Sequence, residues 1–168
     1  MTGKVSLRRL RDDPAEYRML EKWCRQEAVY RAFEQRILCY DEICAKYRPR
    51  TLPDAACPVY IIECAGAPVG IIQYKRLAPD NEYGVRAERG IDIDLFVGEE
   101  DCRGKGIGGE AIRLLLEKCA PDTAVLCPLA DNAPAIRCYE KCGFAAMKTI
   151  EMPDTVGEMQ TYLVMIRQ

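Results

Sequence analysis

The chain has 168 residues, 49% hydrophobic and 30% charged, which suits one globular domain over residues 1–168. A net charge of −2 argues against a nucleic-acid partner, no apolar run approaches the roughly 20 residues of a membrane span, and no signal-peptide core follows Met1, so a cytoplasmic location is expected. Ten cysteines without a Cys-x-x-Cys spacing, and no histidine, rule out an imidazole-held metal and any Cys-His or Ser-His nucleophile; most of the cysteines read as small buried hydrophobes, and no metal is expected.

In chain order, Lys4 to Arg11 reads as a first strand, and Asp13-Pro14 opens a helix with Tyr17, Leu20, Trp23 and Cys24 at helical spacing. Glu27 to Arg36 and Tyr40 to Tyr47 continue in helical or broken-helical form. The prolines of Pro49 to Pro58 predict a loop without helix. Val59 to Ala65 and Val69 to Leu77 form a hairpin across Gly66-Ala67-Pro68, Ala78 to Gly90 is a polar loop, and Ile91 to Val97 is a strand. A helix over Ala111 to Cys119, a strand over Thr123 to Leu129, a helix over Asn132 to Cys142, and strands over Phe144 to Met152 and Met159 to Ile166 complete the reading.

The most informative run is Arg103-Gly104-Lys105-Gly106-Ile107-Gly108-Gly109, between a strand and a helix. Glycines let a ligand approach the backbone, first-turn N–H groups point outward with the helix dipole behind them, and Arg103 and Lys105 add mobile positive charge at the rim. A pyrophosphate is the expected ligand. The glycine spacing fits neither the P-loop nor the dinucleotide fingerprint.

Asp92 and Asp94, two apart in a strand, face one side, while Ile91, Ile93, Leu95 and Val97 face the other. An amine of pKa near 10.4 is almost wholly ammonium at neutral pH, so a carboxylate that attracts it and accepts its proton is the natural base. Acid-rich residues 80–101 beside the basic run suit a cationic acceptor next to an anionic cofactor.

Arg103, Gly106 and Gly108, as Arg-x-x-Gly-x-Gly, resemble the acyl-CoA-binding loop of the GNAT superfamily of N-acetyltransferases. Asn132 to Phe144, with Asn132 as a helix cap, Tyr139 within and Gly143-Phe144 at the end, resembles the second signature of that superfamily. The resemblance implies the GNAT fold, an α/β architecture with a central mixed sheet flanked by helices on both faces. It implies acetyl-CoA as cosubstrate, held by Arg103, Gly104, Lys105, Gly106, Ile107 and Gly108 with Asn132, Ala135 and Tyr139. Backbone N–H groups near Phe96 and Val97 would polarise the thioester carbonyl, and Tyr139 would return a proton to the CoA sulfur.

A narrower likeness, to aminoglycoside 6'-N-acetyltransferases, rests on Pro68-Val69-Gly70 with Gln73, on Asp94-Leu95-Phe96-Val97-Gly98, and on Ala135 to Tyr139. It implies Asp94 as base, Asp92 as second acceptor contact or coupled partner, and Gln73 and Tyr74 as further acceptor contacts. The expected reaction is direct attack by a primary amine of a cationic small molecule in a ternary complex; monomer and homodimer both remain open. One departure stands out: Cys127-Pro128 replaces an Asp-Pro, and Asp131 substitutes only if its loop bends inward. Trp23, Tyr30, Phe33 and Tyr40 are read as core or as platforms for the acceptor ring. Another amine (a polyamine, a siderophore precursor, a protein amine) and a non-catalytic acyl-CoA sensor are the competing readings.

Overall fold

Alternation along the strands explains the layers. In strand β2 (Val59–Cys64), Val59 and Ile61 enter one core and Tyr60 and Ile62 another; in β3 (Ala67–Arg76), Ile71 and Ile72 divide the same way, and in β4 (Gly90–Val97), Phe96 lies opposite Ile91 and Ile93. A sheet apolar on both faces must be covered on both. One face takes helices α1 (Pro14–Cys24), α2 (Glu27–Phe33) and α3 (Tyr40–Tyr47); the other takes α4 (Ile107–Cys119) and α5 (Ala133–Lys141).

The computed structural model describes residues 3–168. With β1 (Val5–Arg9), β5 (Thr123–Leu126), β6 (Ala145–Pro153) and β7 (Met159–Arg167), the strands form one sheet in the order β1-β2-β3-β4-β5-β7-β6. Only β4 and β5 pair in parallel, across the α4 crossover. Their pairing stops at Ile93 opposite Leu126, while β4 runs on to Val97. The sheet therefore opens between β4 and β5 just where Asp94 begins. No helix among the described residues is long and apolar enough to cross a membrane.

Local chemistry accounts for the helix starts. Asp13 accepts from Ala15 N at 2.7 Å and Pro14 holds the first turn of α1; Asn132 accepts from Ala135 N at 3.3 Å and caps α5. The loop after β3 folds on Asn81, whose side chain donates to the carbonyls of Ala78 and Val85 and accepts from the N–H groups of Tyr83 and Val85. Tyr83 and Val85 are thereby pressed onto Val125 and Val164 as a third small core.

Several boundaries differ from expectation. The proline-rich segment opens with a 3₁₀ turn at Arg48–Thr51, because a proline in the first turn of a helix removes no hydrogen bond. The β2–β3 hairpin turns on Ala65 and Gly66, both left-handed, so Ala67 and Pro68 already belong to β3. Helix α4 starts at Ile107, and β5 ends at Leu126.

Candidate active site

A groove of about 1170 Å³ runs from the β4–β5 opening along the start of α4 to α5. Gly106 at φ 80° caps α4 without a side chain, a conformation that a Cβ would strain. The first intrahelical bond of α4 is donated by Glu110 to Gly106 O, so the N–H groups of Ile107, Gly108 and Gly109 have no intrahelical acceptor. Three outward donors at the positive end of a 13-residue helix form an anion seat. Leu95, Phe96 and Val97 wall the groove on one side, and Asn132, Ala135 and Tyr139 on the other.

The expectation for Arg103 is corrected here. Its guanidinium is no mobile charge: Nε donates to Val97 O at 2.9 Å, and Nη2 donates to Gln26 Oε1 at 2.5 Å and to Gly98 O at 3.3 Å. Arg103 therefore fastens the end of β4 to the start of α2 and shapes the groove from below. Trp23 completes the joint. It is fully buried, donates Nε1–H to Glu99 at 2.7 Å, and lies so close to Gly98 that a Cβ there would run into its ring. Lys105 is exposed, and Arg137, Lys141 and Arg167 add further cationic lining that sequence reading did not single out.

At its inner end the groove shares Leu95, Phe96, Asn132 and Tyr139 with a smaller cleft of about 70 Å³, lined also by Asp94, Phe33 and Cys127. Asp94 is open to solvent and lines this cleft beside Leu95, Phe96, Cys127 and Tyr139. Withdrawal from bulk water raises its pKa; Lys75, a hydrogen bond from Gln73, Lys46 and Arg50 oppose the rise. A carboxylate whose pKa is raised above its ordinary value is a better proton acceptor.

Asp92 is different. Only 4% exposed, it accepts from the Tyr83 hydroxyl at 2.8 Å and pairs with Lys75 at 3.5 Å. Burial, followed by the charge of Asp94, pushes it up to about 7. It is a coupled partner under the 78–89 loop and no free contact for an acceptor. Gln73 is likewise buried, and its Oε1 accepts from Arg50 Nη1 at 2.7 Å.

Tyr74 does not join them. The period of two sends it to the other face, where it packs beside Cys119 and α4. Asp131 is exposed beside the Asn132 cap. Among the four aromatics, Phe33 alone is placed in the cleft, edge-on to Phe96 at 5.1 Å; Trp23 is core, Tyr40 stacks with Arg18 at 3.7 Å, and Tyr30 is half-buried on α2.

Tyr139 borders both spaces. Burial, then the neighbouring Cys138 and Asp94, hold its phenol protonated well above its ordinary value. Such a phenol is a weaker acid than an aliphatic thiol of pKa about 8.5, so it can hydrogen-bond a departing thiolate but surrenders its proton only uphill. Lys46 is also perturbed: it pairs with the buried Glu34, and burial, then the charge of Arg50, pushes it down to about 8.

A mixed sheet that parts between two parallel strands, with an anion seat on a helix start at one end of the gap and a carboxylate at the other, is the architecture of the GNAT acyltransferases. The chain belongs to that family: the family model for the acetyltransferase (GNAT) domain matches residues 12–152. It is 32% identical over 130 residues to an aminoglycoside N(6')-acetyltransferase type 1 of Klebsiella pneumoniae, across 73% of this chain and 63% of that protein. It is 38% identical over 84 residues to a kanamycin resistance protein of Rhizobium radiobacter, across 48% of this chain and 73% of that one. The chain thus spans somewhat under two thirds of the length of the first of these relatives. Its fold matches the crystal structure of aminoglycoside acetyltransferase AAC(6')-Ib in complex with coenzyme A, with a TM-score of 0.82 and 23% identity over 98% of this chain and 95% of that one. It also matches a spermidine N-acetyltransferase from Vibrio cholerae in complex with CoA and spermine, with a TM-score of 0.78 and 17% identity over 97% and 94%.

Proposed function

We propose that this protein is an acetyl-CoA-dependent N-acetyltransferase of the cytosol, monomeric or homodimeric, that acts on a primary amine of a cationic small molecule, with the 6'-amine of aminoglycosides the first acceptor to try. The observation that carries the reading is that Asp94 and Tyr139 line one small cleft at the inner end of the donor groove. The seat at Ile107 to Gly109 suits the CoA pyrophosphate, and the gap beyond Ile93 suits the pantetheine arm, where main-chain groups of Phe96 and Val97 can meet the thioester carbonyl. Asp94 takes the ammonium proton, the free amine forms a C–N bond to the carbonyl carbon, and collapse of the adduct breaks the C–S bond as the remaining extra proton on nitrogen passes to the departing thiolate, giving the neutral amide and the CoA thiol. Tyr139 hydrogen-bonds the departing thiolate. Holding donor and amine in one cleft supplies much of the rate advantage through proximity.

A thiol-release assay with acetyl-CoA and a panel of kanamycin, spermidine and simpler amines tests the reading. Kanamycin-dependent release is the expected result; CoA binding with no acceptor in the panel would overturn it. A second reading, another amine, is favoured by Cys127, which lines the cleft beside Asp94 where the aminoglycoside enzymes often carry an Asp. Release with a smaller amine but not with kanamycin would select it.

A further inference from the structure

Arg50 lies outside every motif, yet its guanidinium reaches into the charged centre of the molecule. It belongs to the 3₁₀ turn at Arg48–Thr51, whose backbone is held from below: Arg9 Nη2 donates to Arg50 O at 3.0 Å and to Leu52 O at 2.7 Å. The Arg50 guanidinium lies over the Tyr47 ring at 5.5 Å and donates to Gln73 Oε1 at 2.7 Å. Gln73 in turn stands directly across from Asp94 in the β3–β4 ladder, on the same face.

The chemistry at each end leaves the amide one orientation. A guanidinium only donates, so Gln73 must offer it Oε1; an ionised carboxylate only accepts, so Gln73 must offer Asp94 its NH2. The Gln73 side chain is almost fully buried, and its Oε1 takes Arg50 as its partner. Guanidinium, amide and carboxylate therefore stand in series, with the Gln73 NH2 the donor available to Asp94 across the ladder. A hydrogen bond polarised by a cation at its far end is stronger, and it favours the charged form of its acceptor.

We propose that Arg50, acting through Gln73, is the positioning residue for Asp94, fixing the direction of its carboxylate in the acceptor cleft and keeping it ionised. The assignment rests on Asp94 as the base and adds to it a residue that never touches the acceptor. Other groups also act on Asp94: Asp92 on its own strand, Lys75 on β3, Lys46 and Tyr47 on α3, Cys57 ahead of β2, Cys127 after β5 and Tyr139 on α5. Of the three cations, Lys75 is paired with Asp92 and Lys46 with Glu34, whereas the Arg50 guanidinium is bonded to an amide and keeps its charge uncompensated there.

The test is the carboxyl titration of Asp94, followed by carbon NMR in the full chain and assigned with Asp94→Asn. Arg50→Gln is expected to move the midpoint upward by about one pH unit, and Arg50→Lys to recover part of that shift. Gln73→Leu is expected to give a similar rise and to abolish the further effect of Arg50→Gln in the double variant. In the thiol-release assay the acid limb of kcat/KM should follow the same shift, with acetyl-CoA affinity unchanged. A midpoint that stays in place in both Arg50→Gln and Gln73→Leu, each with native-like melting, overturns the proposal; additive effects in the double variant overturn the route through Gln73. Because the titration needs no acceptor, failure of the acetyltransferase reading would show separately, as a parent chain that acetylates nothing while Asp94 still responds to Arg50.

Discussion

The donor groove and the acceptor cleft meet at Tyr139 but are built on opposite plans. The anion seat of the groove is made of main chain: N–H groups at the start of α4 and a glycine cap beside the edge of β4 that β5 leaves unpaired, all within residues 94–109. The cleft is lined by side chains brought from far apart, Phe33, Asp94, Cys127 and Tyr139 among them, and the groups that set the charge of Asp94, namely Lys75, Gln73, Lys46 and Arg50, come from further segments still. A site of main chain tolerates changes in composition, provided the backbone keeps its course. A site of mutually solvating charges changes character with a single residue, which is how one fold can keep its donor and exchange its acceptor.

The comparison predicts that the two regions fail independently. Asp94→Asn keeps the shape and hydrogen bonding of the cleft but removes the proton acceptor, so kcat should fall by about 10²–10⁴-fold. Acetyl-CoA affinity, measured by calorimetry, should not move. A matching loss of donor binding would show that the regions are one. Tyr139→Phe sits on their border and should cost kcat about 10–100-fold, the worth of one hydrogen bond to a charged group; an unchanged rate would remove the phenol from the departure of the thiolate.

Gly106→Ala examines the groove alone. A Cβ at φ 80° strains the turn by about 1–2 kcal/mol, which should appear as roughly tenfold weaker acetyl-CoA binding with kcat nearly intact. A loss in kcat greater than the loss in donor affinity would mean that the turn also governs the chemistry.

The same division explains what could be read in the sequence. The groove was legible because its elements are local: glycine spacing, a capping Asn132 and a strand ahead of a helix each carry their signal within a dozen residues. The layers came from the family resemblance that the same local motifs carry, and the period of two in β4 sorted Asp92 and Asp94 from Ile91 and Ile93 before any contact was known. Asp94 could be singled out because it shares that short run, and Gln73 through the narrower likeness; Arg50 could not. Nothing near Arg50 in the chain points to Gln73, 23 residues away. Arg103 misled for the opposite reason: a cation beside a glycine loop reads as an anion ligand, while the carbonyls of Val97 and Gly98 that engage it become visible only once β4 ends. Tyr74 misled through the strand period, because proximity to Gln73 in sequence means opposite faces in space.

Asp92 offers the smallest effect and the closest test of how the cleft manages charge. Its carboxyl is pushed up to about 7 by burial and by Asp94, against about 3.9 for an unfolded chain. Between those values the native state holds a proton that the unfolded state has released, so stability falls as pH rises. The contribution is fully present below about 4 and is lost as pH passes through about 7. Asp92→Asn removes the ionisation and leaves an oxygen to accept from Tyr83, at the cost of the pair with the half-exposed Lys75. At pH 8 the variant should therefore be more stable by about 1 kcal/mol, or about 2–4 °C in a domain of this size. The gap should narrow as the pH drops through 7 and close near 4. Melting curves across that range decide it: a variant less stable than the parent at pH 8 would mean that the Asp92 carboxylate, far from straining the cleft, is what holds the Tyr83 loop and Lys75 against β4.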